Sequence, residues 1–280
     1  MFGGASFGHE AVSAALRHRG PDAAGTIQLG STGGARGGTF VHCRLSILDL
    51  SSASDQPFVS ADGRYSIVFN GEIYNFRELR EELKREGLTL RTQGDTEVLL
   101  EGWARHGPLW LARLRGMFAF AIWDSRLGKG YLARDPFGIK PLFVAQVAEG
   151  VVFASELRAL LASGYVPRRL SREGVASYLA TGSVAEPLSI VEGVEQLPAG
   201  TIAEVAPQGG RLALGVPIAF NGPIVPPGGE LERDASRAAS LVRDALRDSV
   251  RHHLVSDVPV GLFLSGGIDS SVVVALASEQ

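Results

Sequence analysis

The segment from Met117 to Trp123 constrains the fold of this chain more than any other feature of the sequence. It reads Met-Phe-Ala-Phe-Ala-Ile-Trp, with no polar residue to mark a side that faces solvent. A strand of this composition is covered on both faces, so structure must lie on both sides of the sheet that contains it. The run Gly130–Arg134 predicts a neighbouring strand, joined to it through a turn that contains glycine.

Further short apolar runs predict more strands, and amphipathic segments predict helices that flank them. Asp95 is predicted as the N-cap of its helix, because an Asp side chain can accept a hydrogen bond from the first free N–H groups. Many antiparallel strands with flanking helices predict an α+β domain over residues 1–205. The additional strands are predicted at 38–45, 64–69, 141–147 and 151–154, and the helices at 9–19, 76–86, 95–106, 156–161 and 172–179.

The pattern changes after residue 205. Residues 206–231 include a stretch rich in Gly and Pro and predict a linker. Residues 232–280 contain nearly all of a helix predicted over 231–254. An apolar strand at 257–264, a loop at 265–270 and a helix at 271–277 follow it. This order is typical of the start of a parallel α/β domain. Because one strand cannot form a parallel sheet, we expect that domain to be truncated in the given sequence.

Charge and composition exclude several classes of function. The formal net charge of -3 and the pI of about 6.1 give no sign of a nucleic-acid or anionic-membrane surface. No apolar run approaches the ~18 residues needed to cross a bilayer, and the first residues lack the features of a secretory signal. The single cysteine, Cys43, excludes a disulfide framework and a Cys-based metal site. These features predict a cytoplasmic enzyme.

The segment Ser265-Gly-Gly-Ile-Asp-Ser270 predicts an anion-binding loop. Consecutive small residues allow backbone N–H groups to close on an anion, and the helix that follows directs its positive end towards the same place. The loop has no Gly-Lys-Ser/Thr, so it is not a Walker A motif. The alternative is an ordinary Gly-rich turn, which the strand before the loop and the helix after it make less favoured.

Asn70-Gly71 permits two interpretations. Between two β-like runs this dipeptide is the strongest short-range hairpin signal, because both residues tolerate a positive φ. Alternatively, the Asn70 amide and the Gly71 N–H point together at a developing oxyanion. The nearby residue types favour the second interpretation. Arg44 suits the α-carboxylate of an amino acid, and Glu72 and Asp95 can pair with its α-ammonium.

Seven motifs, taken in order, make the chain similar to glutamine-hydrolysing asparagine synthetase from about residue 12 to the end. They are Arg17–Asp22, Arg44–Asp49, Asn70–Asn75, Gly94–Glu97, Arg134–Pro141, Phe153–Leu157 and the stretch from Asp257 to Ser271. The resemblance implies a four-layer αββα domain of the N-terminal-nucleophile hydrolase type, followed by the start of an ATP-pyrophosphatase domain. It also implies that ammonia from glutamine passes to a β-aspartyl-adenylate, giving asparagine, glutamate, AMP and pyrophosphate.

The resemblance implies two sets of site residues, together with ATP and Mg²⁺ as cofactors and glutamine, ATP and aspartate as small-molecule partners. A homodimer is possible. The implied glutamine site comprises Arg44, Leu45, Ser46, Ile47, Leu48, Asn70, Gly71, Glu72 and Asp95, with Asn70 and Gly71 as the oxyanion hole. The implied ATP and pyrophosphate site comprises Phe263, Leu264, Ser265, Gly266, Gly267, Asp269 and Ser270, with Asp269 as the magnesium ligand.

The sequence departs from the family at its second residue, where Phe2 stands in place of the nucleophilic cysteine. We therefore expect the first strand of the glutaminase domain to be missing or replaced, and this chain to be an inactive fragment. Cys43 is a poor substitute, because neighbours on a strand face opposite sides and Cys43 points away if Arg44 points to glutamine. A buried structural thiol is the favoured interpretation of Cys43.

Two other functions stay open. One is a ligase similar to β-lactam synthetase or to a peptide-cyclising enzyme, in which the N-terminal domain is only a scaffold. The other is a non-catalytic module that binds glutamine without consuming it. Retention of the whole set of glutamine-site residues argues against the scaffold.

Overall fold

A computed structural model describes residues 1–3, 8–30, 37–221 and 232–280 of the chain. The chain forms two compact units. The first consists of Met1–Ser46 and Ser51–Asn221, and the second of Ile47–Leu50 and Gly222–Gln280.

The first unit alternates short strands with a few helices. Its described strands are β1 (Phe2–Gly3), β2 (Ala23–Leu29), β3 (Gly38–Arg44), β4 (Phe58–Val59), β5 (Tyr65–Ile73), β6 (Gly116–Asp124), β7 (Lys129–Arg134), β8 (Phe143–Val147), β9 (Gly150–Ala154), β10 (Glu195–Gln196), β11 (Thr201–Gln208), β12 (Arg211–Leu214) and β13 (Ile218–Ala219). Its described α-helices are α1 (His9–Leu16), α2 (Phe76–Arg85), α3 (Asp95–His106), α4 (Leu157–Ala162) and α5 (Arg172–Thr181).

The strands of the first unit form two antiparallel sheets. Within the described residues, sheet A has the order β10-β8-β9-β1-β3-β2, and sheet B has the order β12-β11-β7-β6-β5-β4, with β13 also pairing with β11. Strand β6 lies inside sheet B, between β5 and β7. This central position gives the apolar Met117–Trp123 segment a neighbour on each side.

Strand β6 is apolar on both faces because both faces are covered, as its sequence predicts. Ala119 and Trp123 point between the sheets, where they join a core cluster that includes Phe40 of sheet A. The next side chain, Phe120, points the other way and meets Trp103 of α3, with ring centroids 6.3 Å apart. Alternation along one strand therefore fills two separate layers of the domain.

The outer face of sheet A is covered by α1 and α4. Val12 of α1 and Leu160 of α4 share a core cluster with Val152 and Ala154 of β9. With α3 packed outside sheet B, the layers run helix, sheet, sheet, helix. This arrangement confirms the predicted α+β, four-layer αββα domain.

A short first strand is present in the described residues, so the expectation that it is missing is wrong, and the alternative that it is replaced stays a prediction. Phe2–Gly3 forms β1, which pairs with β9 on one side and with β3 on the other. The Phe2 ring is fully buried between the sheets, stacked on Trp123 with centroids 5.6 Å apart. Burial of this large ring, which the sequence argument did not weigh, holds the short strand in the sheet.

The predicted start of the linker at residue 206 is also corrected. Residues 206–214 form the end of β11 and the strand β12, which pair as a hairpin from Val205↔Leu214 to Gln208↔Arg211. Gly209 and Gly210 make the turn, both with positive φ, a conformation that glycine adopts without steric cost. Residues 215–221 of the predicted linker are described and include β13, whereas 222–231 lie outside the described residues, and the domain limits stay predictions.

The described part of the second unit contains the helices α6 (Ala235–His253) and α7 (Ile268–Ser278), linked by an ion pair between Arg247 and Glu279 at 3.1 Å. The predicted strand at 257–264 is wrong, since the structure shows no strand there. A strand is defined by a ladder of backbone hydrogen bonds, and the bond from the N–H of Asp257 to the carbonyl oxygen of Ile47 at 3.0 Å does not form one. Among the described residues, no helix combines the length and apolar character needed to span a membrane.

Candidate functional site

Strand β5 is paired along one side and mostly open along the other. Strand β6 pairs with its whole length, whereas β4 pairs only with Ser66 and Ile67. In an antiparallel sheet, the peptide groups of successive residues point alternately to the two sides. Past the end of β4, the peptide groups of Phe69, Gly71 and Ile73 therefore point to the open side.

Two side chains occupy the peptide group of Phe69. Its N–H donates to Oε1 of Gln56 at 2.6 Å, and its carbonyl oxygen accepts from Nε2 of Gln56 at 3.1 Å. The same carbonyl accepts from Nε2 of His42, also at 3.1 Å. A carbonyl can only accept, so this contact fixes the proton of the neutral His42 ring on Nε2.

The N–H of Ile73 is also hydrogen-bonded, and Gly71, which lies between Phe69 and Ile73, differs from both. The N–H of Ile73 donates to Oδ2 of Asp95 at 2.9 Å. Gly71 faces Phe118 of β6, but the Phe118 N–H donates to Asp135, so this pair exchanges no backbone hydrogen bonds. Within residues 1–3, 8–30, 37–221 and 232–280, the Gly71 N–H has no hydrogen-bond partner. It is a free donor flanked by two fixed peptides.

The hairpin interpretation of Asn70-Gly71 is wrong. Both residues lie inside the continuous strand β5, opposite Ala119 and Phe118, and Gly71 does not have a positive φ. Glycine is required there for another reason: a Cβ atom at this position would lie 2.2 Å from the carbonyl oxygen of Met117. The close approach of β6, rather than a turn, selects glycine.

The side chains of Asn70 and Glu72 lie on the face of β5 that looks towards sheet A, the same face as Val68 of the inter-sheet core. Nδ2 of Asn70 donates to the hydroxyl of Ser155, just after β9, at 3.4 Å. One N–H of the amide is thereby engaged, and its second N–H stays available to a ligand. The oxyanion pair thus combines a side-chain donor and a backbone donor on adjacent residues.

Asp95 is the first residue of α3 and is not its N-cap, which corrects the prediction. Gly94 occupies the cap position, and the Asp95 carboxylate turns to the Ile73 N–H instead. Burial raises the pKa of Asp95 to about 6; the negative charge of Glu72 acts in the same direction, and the Ile73 hydrogen bond opposes it. Asp95 and Glu72 are therefore close enough to influence each other, as two carboxylates serving one ammonium would be.

Lys140 and Tyr74 complete the surroundings of Glu72. Burial lowers the pKa of Lys140, and the negative charge of Glu72 opposes that shift. Burial also raises the pKa of Tyr74 to about 12, helped by the charges of Glu72 and Asp135. Tyr74 is therefore neutral at physiological pH, and Lys140 lies close enough to Glu72 for the two charges to interact.

Arg44 ends β3 with its side chain almost wholly buried. Its Nη1 donates to Oδ1 of Asp55 at 2.7 Å and to the carbonyl oxygen of Ser51 at 3.0 Å. His42, two residues earlier on the same side of β3, carries the contact with Phe69 described above. Burial lowers the pKa of His42 to about 4, and the charge of Arg44 acts in the same direction. The hydrogen bond of His42 thus links β3, the strand that carries Arg44, to β5.

The other residues of the predicted glutamine site lie in the loop after Arg44. Leu45 is 54% exposed, and the N–H of Ser46 donates to Asp22 at 2.8 Å. Ile47 and Leu48 belong to the second unit, and their part in the glutamine site stays a prediction.

Cys43 faces away from Arg44, as strand alternation predicts. Its Sγ lies 3.5 Å from both the hydroxyl and the carbonyl oxygen of Ser13 in α1. The one thiol of the sequence therefore contacts the outer helix layer.

In the second unit, the predicted phosphate loop lies immediately before α7. Gly266 has a positive φ, and the hydroxyls of Ser265 and Ser270 lie 3.0 Å apart. Asp269 is in the first turn of α7. No group of three or more possible metal ligands occurs among the described residues. A single carboxylate still fits Mg²⁺, which takes its other ligands from phosphates and water. Of the remaining predicted residues, Phe263 is fully exposed and Leu264 is 61% exposed.

Several residues of this site were not predicted individually. Ser155 and Lys140 fall inside motifs that were recognised, and His42 lies one strand period before Arg44, which is a usable signal. Nothing in the sequence marks Gln56 as a site residue, because its role depends on where β4 begins.

Comparisons with known proteins agree with this geometry. Residues 6–213 match the family of the glutamine amidotransferase domain, and residues 241–280 match asparagine synthase. The chain is 39% identical over 262 residues to asparagine synthetase [glutamine-hydrolyzing] 1 of Bacillus subtilis, covering 94% of this chain and 39% of the relative. It is 42% identical over 277 residues to a putative asparagine synthetase of Mycobacterium tuberculosis, covering 94% and 41%. The chain thus spans about two fifths of the length of these relatives.

Among solved structures, the chain is similar to glutamine phosphoribosylpyrophosphate amidotransferase of B. subtilis. The TM-score is 0.57 at 18% sequence identity, over 99% of this chain and 63% of that one. At this identity the likeness concerns the fold alone, and it confirms the predicted N-terminal-nucleophile type of architecture. On the match over residues 6–213, this chain belongs to the glutamine amidotransferase domain family, and its last residues match asparagine synthase.

Proposed function

We propose that the first unit binds glutamine on the open side of β5. The side-chain carbonyl oxygen of glutamine accepts hydrogen bonds from the Gly71 N–H and the Asn70 amide. Its α-carboxylate meets Arg44, and its α-ammonium meets Glu72 and Asp95. The observation that carries the proposal is the unpartnered Gly71 N–H, since a half-buried peptide donor held between two fixed neighbours costs stability unless a ligand satisfies it.

We further propose that the whole protein performs the reaction named for its relatives, the glutamine-dependent synthesis of asparagine. In that reaction ATP activates aspartate as a β-aspartyl-adenylate, and ammonia from glutamine displaces AMP. The loop Ser265–Ser270 is proposed to hold the phosphates of ATP at the positive end of α7, with Asp269 on Mg²⁺. A cytoplasmic location and a homodimer stay predictions.

Hydrolysis of glutamine needs a nucleophile beside the oxyanion donors. The only thiol of this sequence, that of Cys43, contacts α1 instead. With the sequence as given, we therefore expect glutamine to bind and not to be consumed.

Calorimetry with L-glutamine, together with an assay of ammonia release, tests this proposal. We expect binding without ammonia, and weaker binding in Asn70→Ala. Asn75→Ala is the matched control, because the Asn75 amide bridges the backbone of Arg113 and Arg115 away from the open side of β5. Absence of binding would favour the scaffold function. Ammonia release that disappears in Cys43→Ala would show that the thiol acts after all.

A further inference from the structure

Gln56 stands where sheet B lacks a strand residue. The pair Phe58↔Ile67 is the last between β4 and β5 in this direction. Continuing that antiparallel register places Gln56 opposite Phe69. The side chain, however, makes the two hydrogen bonds with Phe69 that a strand peptide would make, one donated and one accepted. The Gln56 carboxamide thus extends the ladder by one position.

The backbone of Gln56 is turned away from β5. Its carbonyl oxygen lies against Gly25 of β2, where a Cβ atom would approach it to 2.3 Å. Gln56 is 8% exposed, and Nε2 also lies 3.5 Å from the hydroxyl of Thr96 in α3. The side chain is therefore held by several elements of the first unit, and its amide is fixed in direction.

The Gln56 amide restrains the peptide next to the free donor. The Gly71 N–H lies in the peptide plane that contains the Asn70 carbonyl, and Asn70 pairs with Ala119 of β6; glycine still allows this plane to tilt unless the neighbouring residues are also held. The Phe69 peptide is fixed by Gln56 and His42, and the Ile73 peptide by Asp95. With both sides fixed, the Gly71 N–H keeps its direction towards the open side.

We propose that Gln56 is a positioning residue for the side-chain carbonyl of bound glutamine. It does not touch the ligand; it holds the Phe69 peptide so that the Gly71 N–H meets the carbonyl oxygen. This inference rests on the proposed glutamine site and adds to it a residue with a defined effect. Its effect is confined to the carbonyl end of the ligand, because the α-carboxylate and α-ammonium are bound by other groups.

The test compares two ligands in the full chain by calorimetry or by NMR titration. L-Glutamine has the side-chain carbonyl, and L-norvaline has the same α-carbon groups with no carbonyl. In Gln56→Met, which keeps the side-chain length and removes both hydrogen bonds, we expect about a fivefold loss of glutamine affinity, equivalent to one hydrogen bond. Norvaline affinity is expected to be unchanged.

Gln146→Met is the matched control. The Gln146 amide also bridges backbone groups, donating to the carbonyl oxygen of Gly150 at 2.7 Å and accepting from the N–H of Leu214 at 2.9 Å. It joins β8, β9 and β12, which are remote in sequence from β5. The ratio of glutamine to norvaline affinity should therefore stay at the wild-type value.

Equal losses for both ligands in Gln56→Met, or no loss for either, would overturn the positioning role while leaving the glutamine site in place. If the wild-type chain binds glutamine no better than norvaline, the proposed site itself fails, and this inference fails with it. Should Gln56→Met not fold, Gln56→Glu keeps the length and an acceptor and replaces the amide donor with a second, negatively charged oxygen. It should lower glutamine affinity and spare norvaline.

Discussion

Replacing Asp95 with Asn should stabilise the first unit above pH 6 while weakening glutamine binding. Burial raises the pKa of Asp95 from its ordinary 3.8 to about 6 in the folded chain. The folded state therefore holds a proton that the unfolded state releases, so stability falls as pH rises from 3.8 to 6. A difference of ~2 pKa units corresponds to about 3 kcal/mol.

Asn removes this cost because it has no charge to bury. It still accepts the Ile73 N–H, as the neutral carboxyl of the wild type does. The net gain should be close to zero below pH 4, where the wild-type carboxyl is also neutral, and about 3 kcal/mol above pH 6, because the shifted pKa already includes the Ile73 hydrogen bond. The price is function, since Asn cannot pair with the α-ammonium of glutamine.

Urea unfolding followed by tryptophan fluorescence measures this effect. Trp103, Trp110 and Trp123 are the only tryptophans of the sequence, and all lie in the first unit with Asp95. The free energy of unfolding would be determined for wild type and Asp95→Asn at pH 4 and pH 8. At each pH, the two proteins must show the same dependence of that free energy on urea concentration.

Glu97→Gln is the matched control, two residues further along α3. Burial alone would raise the pKa of Glu97, but hydrogen bonds from Arg91 and Thr92 outweigh it and lower the pKa. Its charge thus stabilises the fold above the unfolded pKa, so Glu97→Gln should destabilise at pH 8 and lose that effect on acidification. An Asp95→Asn gain of the same size at pH 4 and pH 8 would refute the assigned cause.

Two further predictions concern backbone geometry and the phosphate loop. Gly71→Ala should cost about 1–3 kcal/mol of stability and abolish glutamine binding, because its Cβ would lie 2.2 Å from the Met117 carbonyl oxygen. Gly30→Ala is the control, because a Cβ there has no described atom within 4 Å. Equal unfolding midpoints for the two variants would contradict the steric cause. Ser265→Ala should lower the affinity for magnesium pyrophosphate about tenfold through loss of a charge-assisted hydrogen bond, whereas Ser278→Ala, at the far end of α7, should leave it unchanged; equal effects in a calorimetric titration would argue against a phosphate site at the loop.

Layering was predictable because it follows from composition over a short distance. The apolar segment Met117–Trp123 needs cover on both faces wherever it lies, which implies structure on both sides of its sheet, and the family resemblance implies that this structure is a second sheet and outer helices. The helices α2 and α3 were predictable for a similar local reason: Gly87 and Gly107, both with positive φ, end them.

Features that depend on partners distant in the sequence were not predictable. Asn70-Gly71 carries the signature of a turn, and only the approach of Met117 shows that glycine is selected by a neighbouring strand. The segment 257–264 is as apolar as a strand, yet pairing decides whether it becomes one. The role of Gln56 can be recognised only once β4 is known to begin at Phe58, two residues after it.

The side chains that line the open side of β5 also guard against unwanted association. An exposed row of peptide groups is a template on which a strand of another molecule can add, and that is a common route to aggregation. Here the row is interrupted, because the backbone groups of Phe69 are hydrogen-bonded to Gln56 and His42 and the Ile73 N–H is hydrogen-bonded to Asp95. An incoming strand would therefore meet the isolated Gly71 peptide and could not form a continuous ladder. The chain can keep one donor open to a small molecule without offering a surface to a second copy of itself.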